Sequence, residues 1–340
     1  MATNDEAALR LRPAEPSDGP AISRLLAATF PNNPKVKSDV LRWQYWENPA
    51  GPAVSWVWED AGEVISHSAR LPVNATFDGE PALCGLAIDG ATALTHRRRG
   101  LYERLRRALH EDCCARGMRA TLLFLGPESM VPRIDVRTSV PLRVFVLPLD
   151  GAWLSSRLHL PRFVGRRLVR SIRSAGRGTE TAAPPEGLDE LWSDLAERFP
   201  YSVVKDGQWW SWRYAASPSF DYRFFEVRSG GRLRGAAVTT RRTVWGGGFV
   251  LILELLARTD DDARALVKAI THASPDASAL ALLATPNSLP ANLAADAGLR
   301  RVPRWFESRP NALGIWNPCA DRSDFTKAPW SATWGEADFL

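Results

Sequence analysis

An internal repeat constrains the fold of this 340-residue chain more than any other feature of its sequence. The segment Leu41–Pro49, LRWQYWENP, returns as WSWRYAASP at Trp210–Pro218. The matched residues lie 169 positions apart in every case and are Trp43 with Trp212, Pro49 with Pro218, and Gly62 with Gly231. Because this register spans a helix end, a turn and a hairpin, it predicts two copies of one α/β unit.

Each copy continues in the same way after its proline. Two strand-like runs flank a turn centred on glycine, at Ser55–Glu59 and Val64–Ala69 in the first copy and at Tyr222–Val227 and Leu233–Thr239 in the second. These runs predict one β-hairpin in each copy.

A strand, a helix and another strand follow each predicted hairpin. In the first copy they are Ala82–Leu94, Leu101–Arg116 and Met118–Leu125, and in the second Phe249–Leu256, Asp260–Thr271 and Leu280–Ala284. The pattern predicts an α/β (α+β) fold with a mixed sheet in each half. We divide the chain into a first domain at 1–150, a linker at 151–187 and a second domain at 188–340.

The start of the linker has an unusual charge pattern. Between Gly151 and Gly178 there is no acidic residue, whereas seven arginines occur, and apolar residues recur at roughly helical spacing. The segment therefore predicts a basic amphipathic helix. Such a helix either connects the domains with a solvated arginine face or contacts phosphate or RNA. Binding to a membrane surface is a weaker alternative.

Composition narrows the protein class. No stretch approaches the roughly 20 apolar residues that cross a membrane, and the N-terminus has no signal-peptide pattern, so we expect a cytoplasmic protein. The four cysteines have no zinc-ligand spacing, which predicts reduced thiols and no metal site. A net charge of +5 suits both phosphorylated ligands and RNA.

A short basic loop joins the predicted strand Ala82–Leu94 to the helix that begins at Leu101. Free amides and the positive dipole end at a helix start attract anions. Gly100 lets the backbone approach a ligand closely, and Arg97, Arg98 and Arg99 can bond to phosphate oxygens. The loop therefore predicts a diphosphate site.

The run Ala93–Leu101, ALTHRRRGL, resembles the R/Q-x-x-G-x-G/A acyl-CoA signature of the GCN5-related N-acetyltransferase (GNAT) superfamily. It is most similar to the loop of aminoglycoside acetyltransferases of the enhanced-intracellular-survival type. Arg97 and Gly100 occupy the first two fixed positions, whereas Tyr102 replaces the usual small third residue and Leu94 a frequent proline. The resemblance covers about residues 9 to 148.

The resemblance implies two tandem GNAT-like domains that transfer an acetyl or other acyl group from acyl-CoA to the amine of a small molecule. The acyl-pantetheine arm would lie between two splayed parallel strands and pair with backbone groups near Ala91 and Ala93. The pyrophosphate would be held by Arg97, Arg98, Arg99, Gly100 and Leu101.

The general base and acid are less clearly marked. His67, Asp89, Glu128 and Ser129 lie on or beside the expected cleft, and Glu128 with Ser129 follows the strand at which the superfamily places its acceptor site. By analogy with two-domain acetyltransferases, Glu336, Asp338 or the terminal carboxylate could act as base, although a docked aromatic tail explains the same segment. We predict Glu128, Ser129 and Asp338 as catalytic residues.

The second half lacks the basic loop. It has Arg258-Thr-Asp-Asp-Asp262 where the first half has three arginines and a glycine, and three carboxylates repel a diphosphate. We therefore expect one acyl-CoA site, in the first half. Two alternatives remain open: an aminoacyl-tRNA-dependent amide-forming transferase, which would use the arginine-rich linker, and a non-catalytic binding or scaffold protein.

Overall fold

The computed structural model describes residues 9–31, 36–125, 138–169, 177–244, 246–303, 311–316 and 328–337. The strands of the first half are β1 (Leu9–Pro13), β2 (Val54–Asp60), β3 (Glu63–Phe77), β4 (Glu80–Thr92), β5 (Ala120–Leu125), β6 (Thr138–Pro141) and β7 (Arg143–Pro148). Its helices are α1 (Gly19–Thr29), α2 (Ser38–Trp46) and α3 (Leu101–Ala115). Leu101, Leu105, Leu109 and Cys113 recur at helical spacing along α3, and all four are buried.

The rest of the chain begins with α4 (Gly151–Leu158) and α5 (Arg162–Leu168). The later strands are β8 (Thr179–Thr181), β9 (Tyr201–Val203), β10 (Arg223–Ser229), β11 (Arg232–Val244), β12 (Gly247–Ala257), β13 (Ala279–Ala284), β14 (Arg300–Arg301), β15 (Ala312–Trp316) and β16 (Trp330–Ser331). The later helices are α6 (Leu188–Leu195), α7 (Gly207–Trp210, continued by a π-helical turn at Ser211–Ala215), α8 (Asp260–His272) and α9 (Leu289–Asp296).

The strands form two mixed sheets with the same plan. Sheet A has the order β1-β2-β3-β4-β5-β15-β6, and sheet B has the order β8-β10-β11-β12-β13-β7-β14. In each sheet a hairpin leads to a central strand, β4 or β12, that runs parallel to the next, β5 or β13. The predicted hairpins, central strands and mixed α/β class are thus confirmed.

The two halves exchange one strand each. β7 follows β6 after the single residue Leu142, yet it lies in sheet B between β13 and β14. β15, from the second half, fills the corresponding place in sheet A between β5 and β6. Each half of the sequence therefore completes the sheet of the other half.

Residues related by the repeat also meet in space. The indole rings of Trp43 and Trp212 stack with their centroids 5.1 Å apart. Trp43 Nε1 donates to the carbonyl of Trp212 at 3.0 Å, and Trp212 Nε1 donates to the carbonyl of Trp43 at 3.3 Å. This reciprocal contact is what a local two-fold relation between the two units requires.

The basic segment differs from its prediction as one amphipathic helix. It forms α4 and α5 instead, because His159 adopts a left-handed conformation with φ 53° and Pro161 follows it. The two helices fold against each other, and a Cβ on Gly151 would lie 2.7 Å from the backbone of Arg166. Arg166 and Arg167 are exposed on α5.

Helices cover both faces of sheet A. α1 and α2 pack on one face, where Ile22, Leu26 and Leu41 are fully buried. α3 packs on the other face, against Val54, Trp56 and Trp58 of β2. The side chains of β4 therefore point alternately toward α1 and α2 or toward α3.

Candidate functional site

A gap opens between the parallel strands β4 and β5. Their ladder joins only Cys84–Leu86 to Ala120–Leu122. Beyond it, residues 87–92 of β4 pair with β3 alone, while β5 continues beside β15. The strands thus diverge toward their carboxyl ends, which is where ligands bind in open α/β sheets.

The basic loop and the start of α3 lie at the open end of this gap. Arg97, Arg98, Arg99 and Gly100 are all exposed. The first backbone hydrogen bond of α3 runs from Arg104 N to Gly100 O at 3.2 Å, so the amides of residues 101–103 have no partner within the helix. Four of the predicted pyrophosphate residues are thus exposed together, whereas the side chain of the fifth, Leu101, is buried.

Backbone geometry keeps this surface open. Arg98 and Gly100 have φ values of 64° and 72°, in the left-handed region. A Cβ built on Gly100 would meet nothing within 4 Å, so the space over the helix start is unobstructed. Free amides, three guanidinium groups and this space suit a diphosphate.

Three side chains hold the loop in place. His96 Nε2 lies 3.0 Å from Asp60 Oδ2, and Arg97 Nε donates to the carbonyl of Thr92 at 3.0 Å. Trp58 Nε1 donates to the carbonyl of Leu101 at 2.8 Å. The loop is therefore fixed to β2 and β4, and a ligand would meet a preorganised surface.

A β-bulge lies in the part of β4 that borders the gap. Asp89 and Gly90 together face the single residue Ser68 of β3, and Asp89 has φ 52°. The hydroxyl of Tyr45, on α2, donates to Asp89 Oδ2 at 2.8 Å. The Asp89 carboxylate is therefore directed to the α1 and α2 side, and it is only partly buried.

His67 supports this bulge from β3. Its Nδ1 lies 2.9 Å from the carbonyl oxygen of Asp89, so Nδ1 carries the proton and Nε2, 2.9 Å from Ser55 Oγ, accepts from that hydroxyl. The ring is fully buried, and burial lowers its pKa to about 4 although the Asp89 carbonyl and Asp18 oppose the shift. His67 is thus a neutral support of the bulge, as expected of an ordinary strand histidine.

Tyr102, which departs from the signature, packs against the same bulge from the α3 side. A Cβ on Gly90 would lie 2.5 Å from the Tyr102 hydroxyl. The large residue at the third signature position is therefore accommodated by a glycine on the facing strand.

The backbone groups of Ala93 are bonded within the protein. Its N–H donates to Ile65 O at 2.8 Å, and its carbonyl accepts from His96 N at 2.9 Å. The carbonyl of Ala91 accepts from Ser66 Oγ at 3.0 Å. Pairing of Ala91 and Ala93 with a pantetheine arm stays a prediction.

The three predicted catalytic residues, Glu128, Ser129 and Asp338, lie outside the described residues. Sequence reasoning noted Asp89 but interpreted it as a possible bulge cap, and it missed Tyr45. A signal was available, since Tyr45 aligns with Tyr214 in the 169-residue register. Tyr214 likewise donates to a carboxylate on the central strand of its own sheet, Glu254 Oε1, at 2.9 Å.

The corresponding gap in sheet B is filled by the chain itself. The ladder of β12 and β13 ends at Ile252 and Leu282. Residues 328–337 lie beyond it, with Thr333 bridging to Ala284 at the end of β13 and Thr285 N donating to Ala332 O at 3.1 Å. The expectation that the C-terminal tail docks onto the protein is thus confirmed for these residues.

A buried ion-pair cluster fixes this segment. Lys205 Nζ lies 2.8 Å from Glu254 Oε1 and 2.5 Å from Glu336 Oε1. Burial alone would lower the pKa of Lys205, but the two carboxylates outweigh it and raise that pKa. Glu336 is therefore a structural partner of Lys205 in the second unit, and its suggested role as base stays a prediction.

The start of α8 offers no anion cradle. Thr259 Oγ1 accepts from Asp262 N at 3.2 Å, and Asp260, Asp261 and Asp262 lie in the first turn. Arg234 pairs with Asp262 at 3.3 Å. The helix start is thus occupied by its own side chains and carries negative charge.

The described part of the chain lacks two further features. No group of three or more His, Cys, Asp or Glu side chains there is placed to hold a metal ion. Within the same ranges, no helix has both the length and the apolar character needed to cross a membrane.

Comparison with known proteins gives one family match. Residues 10–131 match the model of the acetyltransferase (GNAT) domain. This range contains the loop, α3, both strands of the gap and the bulge. No curated protein is significantly similar to the chain in sequence.

Solved structures share the fold over most of the chain. A GCN5-related N-acetyltransferase from Anabaena variabilis has TM-score 0.64 at 11% identity, covering 90% of this chain and 72% of that one. A conserved protein of unknown function from Enterococcus faecalis, a probable N-acyltransferase, has TM-score 0.61 at 13% identity, covering 91% and 70%. A GCN5-related N-acetyltransferase from Kribbella flavida has TM-score 0.60 at 16% identity, covering 90% and 70%.

Proposed function

We propose that the chain is an acyltransferase that moves an acyl group from acyl-CoA to an amine of a small molecule, because residues 10–131 match the model of the acetyltransferase (GNAT) domain. The observation that carries the proposal is the open, basic start of α3 at the wide end of the β4–β5 gap. A thioester bound there supplies the activated acyl carbon, and the chain supplies binding, orientation and proton transfer.

The loop provides the anchor in this proposal. Arg97, Arg98 and Arg99 and the amides of the first turn of α3 would hold the pyrophosphate, with Gly100 leaving room for it. Its contacts with Thr92 and Leu101 fix the anchor relative to β4. The reacting end of the ligand would then extend into the gap, toward the bulge.

Asp89 is the best-supported general base among the described residues. Its carboxylate borders the gap on the α1 and α2 side and can accept a proton from an incoming ammonium or amine. Tyr45 orients it from one side, while His67 holds its backbone from the other. The acceptor amine would therefore approach from the side of α1 and α2.

The leaving thiolate also needs a proton donor, which Asp89 does not supply in this proposal. Glu128 and Ser129, just after β5, remain our predicted acid and acceptor residues, and Asp338 remains a predicted base. The resemblance to enhanced-intracellular-survival-type enzymes is likewise part of the proposal, and so is the use of an acyl-CoA such as acetyl-CoA as the donor.

Calorimetric titration with acetyl-CoA tests the anchor. We expect one binding site per chain, and at least a tenfold loss of affinity in Arg97→Ala and in Gly100→Glu, since each removes or opposes charge-assisted contacts to phosphate. Gly117→Glu is the matched control, because Gly117 also has positive φ and open space but lies at the other end of α3. Absence of binding to the wild type, or equal binding by all variants, would refute the proposal.

The aminoacyl-tRNA alternative gains no support from the comparisons. The matched family and the three solved structures are described by acetyl or acyl transfer. Release of CoA in the presence of a panel of amines separates an active enzyme from the scaffold alternative.

A further inference from the structure

A buried arginine on β3 has no acidic partner among the described residues. Arg70 is 5% exposed. Its Nη1 donates to Ser68 Oγ at 3.2 Å and to the carbonyl of Ala69 at 2.8 Å, whereas its Nε has no hydrogen-bond partner within the described ranges. Burial lowers the pKa of Arg70 most strongly and Arg106 lowers it further, although Tyr102 and Cys113 act to raise it. Burial of a guanidinium without a counter-ion is strongly unfavourable.

Arg70 lies at the β4–β5 gap, on its α3 side. It pairs with Ala87, the first residue of β4 beyond the ladder with β5. Its guanidinium reaches Ser68, which faces the Asp89–Gly90 bulge. The positive charge is therefore beside the stretch of the gap that runs from the bulge to the closed end.

Three further polar side chains lie along the same stretch of the gap and form with Arg70 what we call the polar line: Tyr102, Thr121 and His110. The Tyr102 hydroxyl lies against Gly90 at the bulge. At the closed end, Thr121 Oγ1 and both ring nitrogens of His110 are buried and have no hydrogen-bond partner among the described residues, while the His110 ring stacks on the indole of Trp316. Burial and the nearby Arg70 and Arg106 lower the pKa of His110 to about 2, so this ring is neutral and has an N–H to donate.

Small residues of β4 face the polar line. Gly85, Ala87 and Gly90 are the β4 positions involved, and a Cβ on Gly85 would lie 3.1 Å from Arg70 Cβ. From Gly90 to Gly85 the strand extends about 16 Å at the usual rise per residue. The polar line is thus longer than an acetyl group.

We propose that Arg70, with Thr121 and His110, binds a carboxylate at the far end of the acyl group, so that the preferred donors are CoA thioesters of dicarboxylic acids. This inference rests on the proposed function. The oxygens of a carboxylate can accept hydrogen bonds from the guanidinium, the hydroxyl and the imidazole N–H. Its negative charge also neutralises the buried guanidinium. An uncharged acyl chain of equal length would leave those groups unsatisfied.

The test compares binding of succinyl-CoA, butanoyl-CoA and free CoA by calorimetry. The two acyl groups have four carbons each and differ in the terminal carboxylate. We expect succinyl-CoA to bind about tenfold or more tightly than butanoyl-CoA to the wild type, as for a hydrogen bond to a charged group. In Arg70→Met the two thioesters should bind equally, while the affinity for free CoA stays unchanged.

Two further variants serve as a control and as an independent test. Arg107→Met removes an exposed arginine from the same helix and should keep the preference for succinyl-CoA. Thr121→Val is nearly isosteric and should reduce that preference even if Arg70→Met fails to fold.

Three outcomes overturn the inference. The first is equal or tighter binding of butanoyl-CoA by the wild type, and the second is a preference that survives both Arg70→Met and Thr121→Val. The third is a fall by the same factor in the affinities for succinyl-CoA and butanoyl-CoA in Arg70→Met. That result would assign the arginine to the leaving sulfur. In each of these cases free CoA still binds, so the proposed function stands; failure of free CoA to bind would end both.

Discussion

Asp89 combines three properties expected of a base at the reacting end of the gap. It lies on a bulge, its carboxylate is partly exposed, and a tyrosine hydroxyl donates to it. Its φ of 52° is a conformation that aspartate and asparagine tolerate better than most residues. The strained backbone is compensated by the hydrogen bond from His67 to its carbonyl.

We expect Asp89→Asn to lower kcat by about 100-fold or more, because asparagine keeps the bulge but cannot accept the proton. The Kd for acyl-CoA should change little. Steady-state CoA release and calorimetry measure the two quantities. Asp78→Asn is the control, since Asp78 also has positive φ, at 56°, but lies exposed in the β3–β4 turn. A kcat within twofold of the wild type would exclude Asp89 as the base.

His67 makes stability depend on pH. Its pKa is about 4 in the folded protein against an ordinary 6.5, so the unfolded chain binds more protons between these values. Its contribution is present above about 6.5 and is lost as the pH falls toward 4. We expect the free energy of unfolding to drop by about 2 kcal/mol between pH 7 and pH 5 from this group.

Urea unfolding of the wild type and of His67→Gln at both pH values isolates this contribution. Glutamine does not titrate, so the variant should be less stable at pH 7 and should lose about 2 kcal/mol less than the wild type on acidification. His110 remains in both proteins and contributes equally. The same pH dependence in both would disprove the assignment.

At the scale of elements, the two strand–helix units differ in the charge at the start of the helix. The start of α3 follows a glycine and three exposed arginines, whereas α8 begins with a threonine cap and three aspartates. A helix start attracts anions in both units, but α8 satisfies that attraction with its own carboxylates. The gap beside α3 is open at the loop, and the gap beside α8 holds residues 328–337.

The ion pairs of Lys205 explain why that second gap stays closed. Removing either carboxylate would leave a buried ammonium with one partner fewer, which is typically destabilising by about 3–5 kcal/mol. The segment also extends sheet A, because β16 pairs with β9 and β9 pairs with β3. It therefore joins the two units as well as filling one of them.

At the scale of the whole molecule, strand exchange makes the two sheets interdependent. Sheet A needs β15 from the second half, and sheet B needs β7 from the first. Each exchanged strand pairs on both sides, so its loss would expose two strand edges in one sheet. The stacked Trp43 and Trp212 add a buried contact between the units.

We predict that residues 1–150 do not fold when produced alone, because β5 and β6 then lack the strand between them. Co-production with residues 151–340 should restore a soluble complex. Circular dichroism and size-exclusion chromatography of the separate and combined fragments measure this. A cooperative, monomeric fold of 1–150 alone would show that the exchange is dispensable.

The sequence alone determined the local features: the hairpins, the central strands, the α3 helix and the basic loop. Each depends on residue periodicity or on a few adjacent residues, and the 169-residue register predicted two copies of one unit. The loop chemistry predicted where an anion would bind because amides, glycine and arginines are consecutive in the chain.

Only the tertiary structure decided which sheet each exchanged strand joins, since β7 and β15 have apolar patterns that suit either sheet. It also brought Tyr45 to Asp89 and left Arg70 buried with no acidic partner in the described part of the chain, because those relations depend on packing between distant segments. The basic helix was predicted whole and is broken, since the backbone conformation at His159 is set by the folding of α4 onto α5. Local sequence determines the secondary structure and the binding chemistry of each segment, whereas long-range packing determines which strands and side chains it contacts.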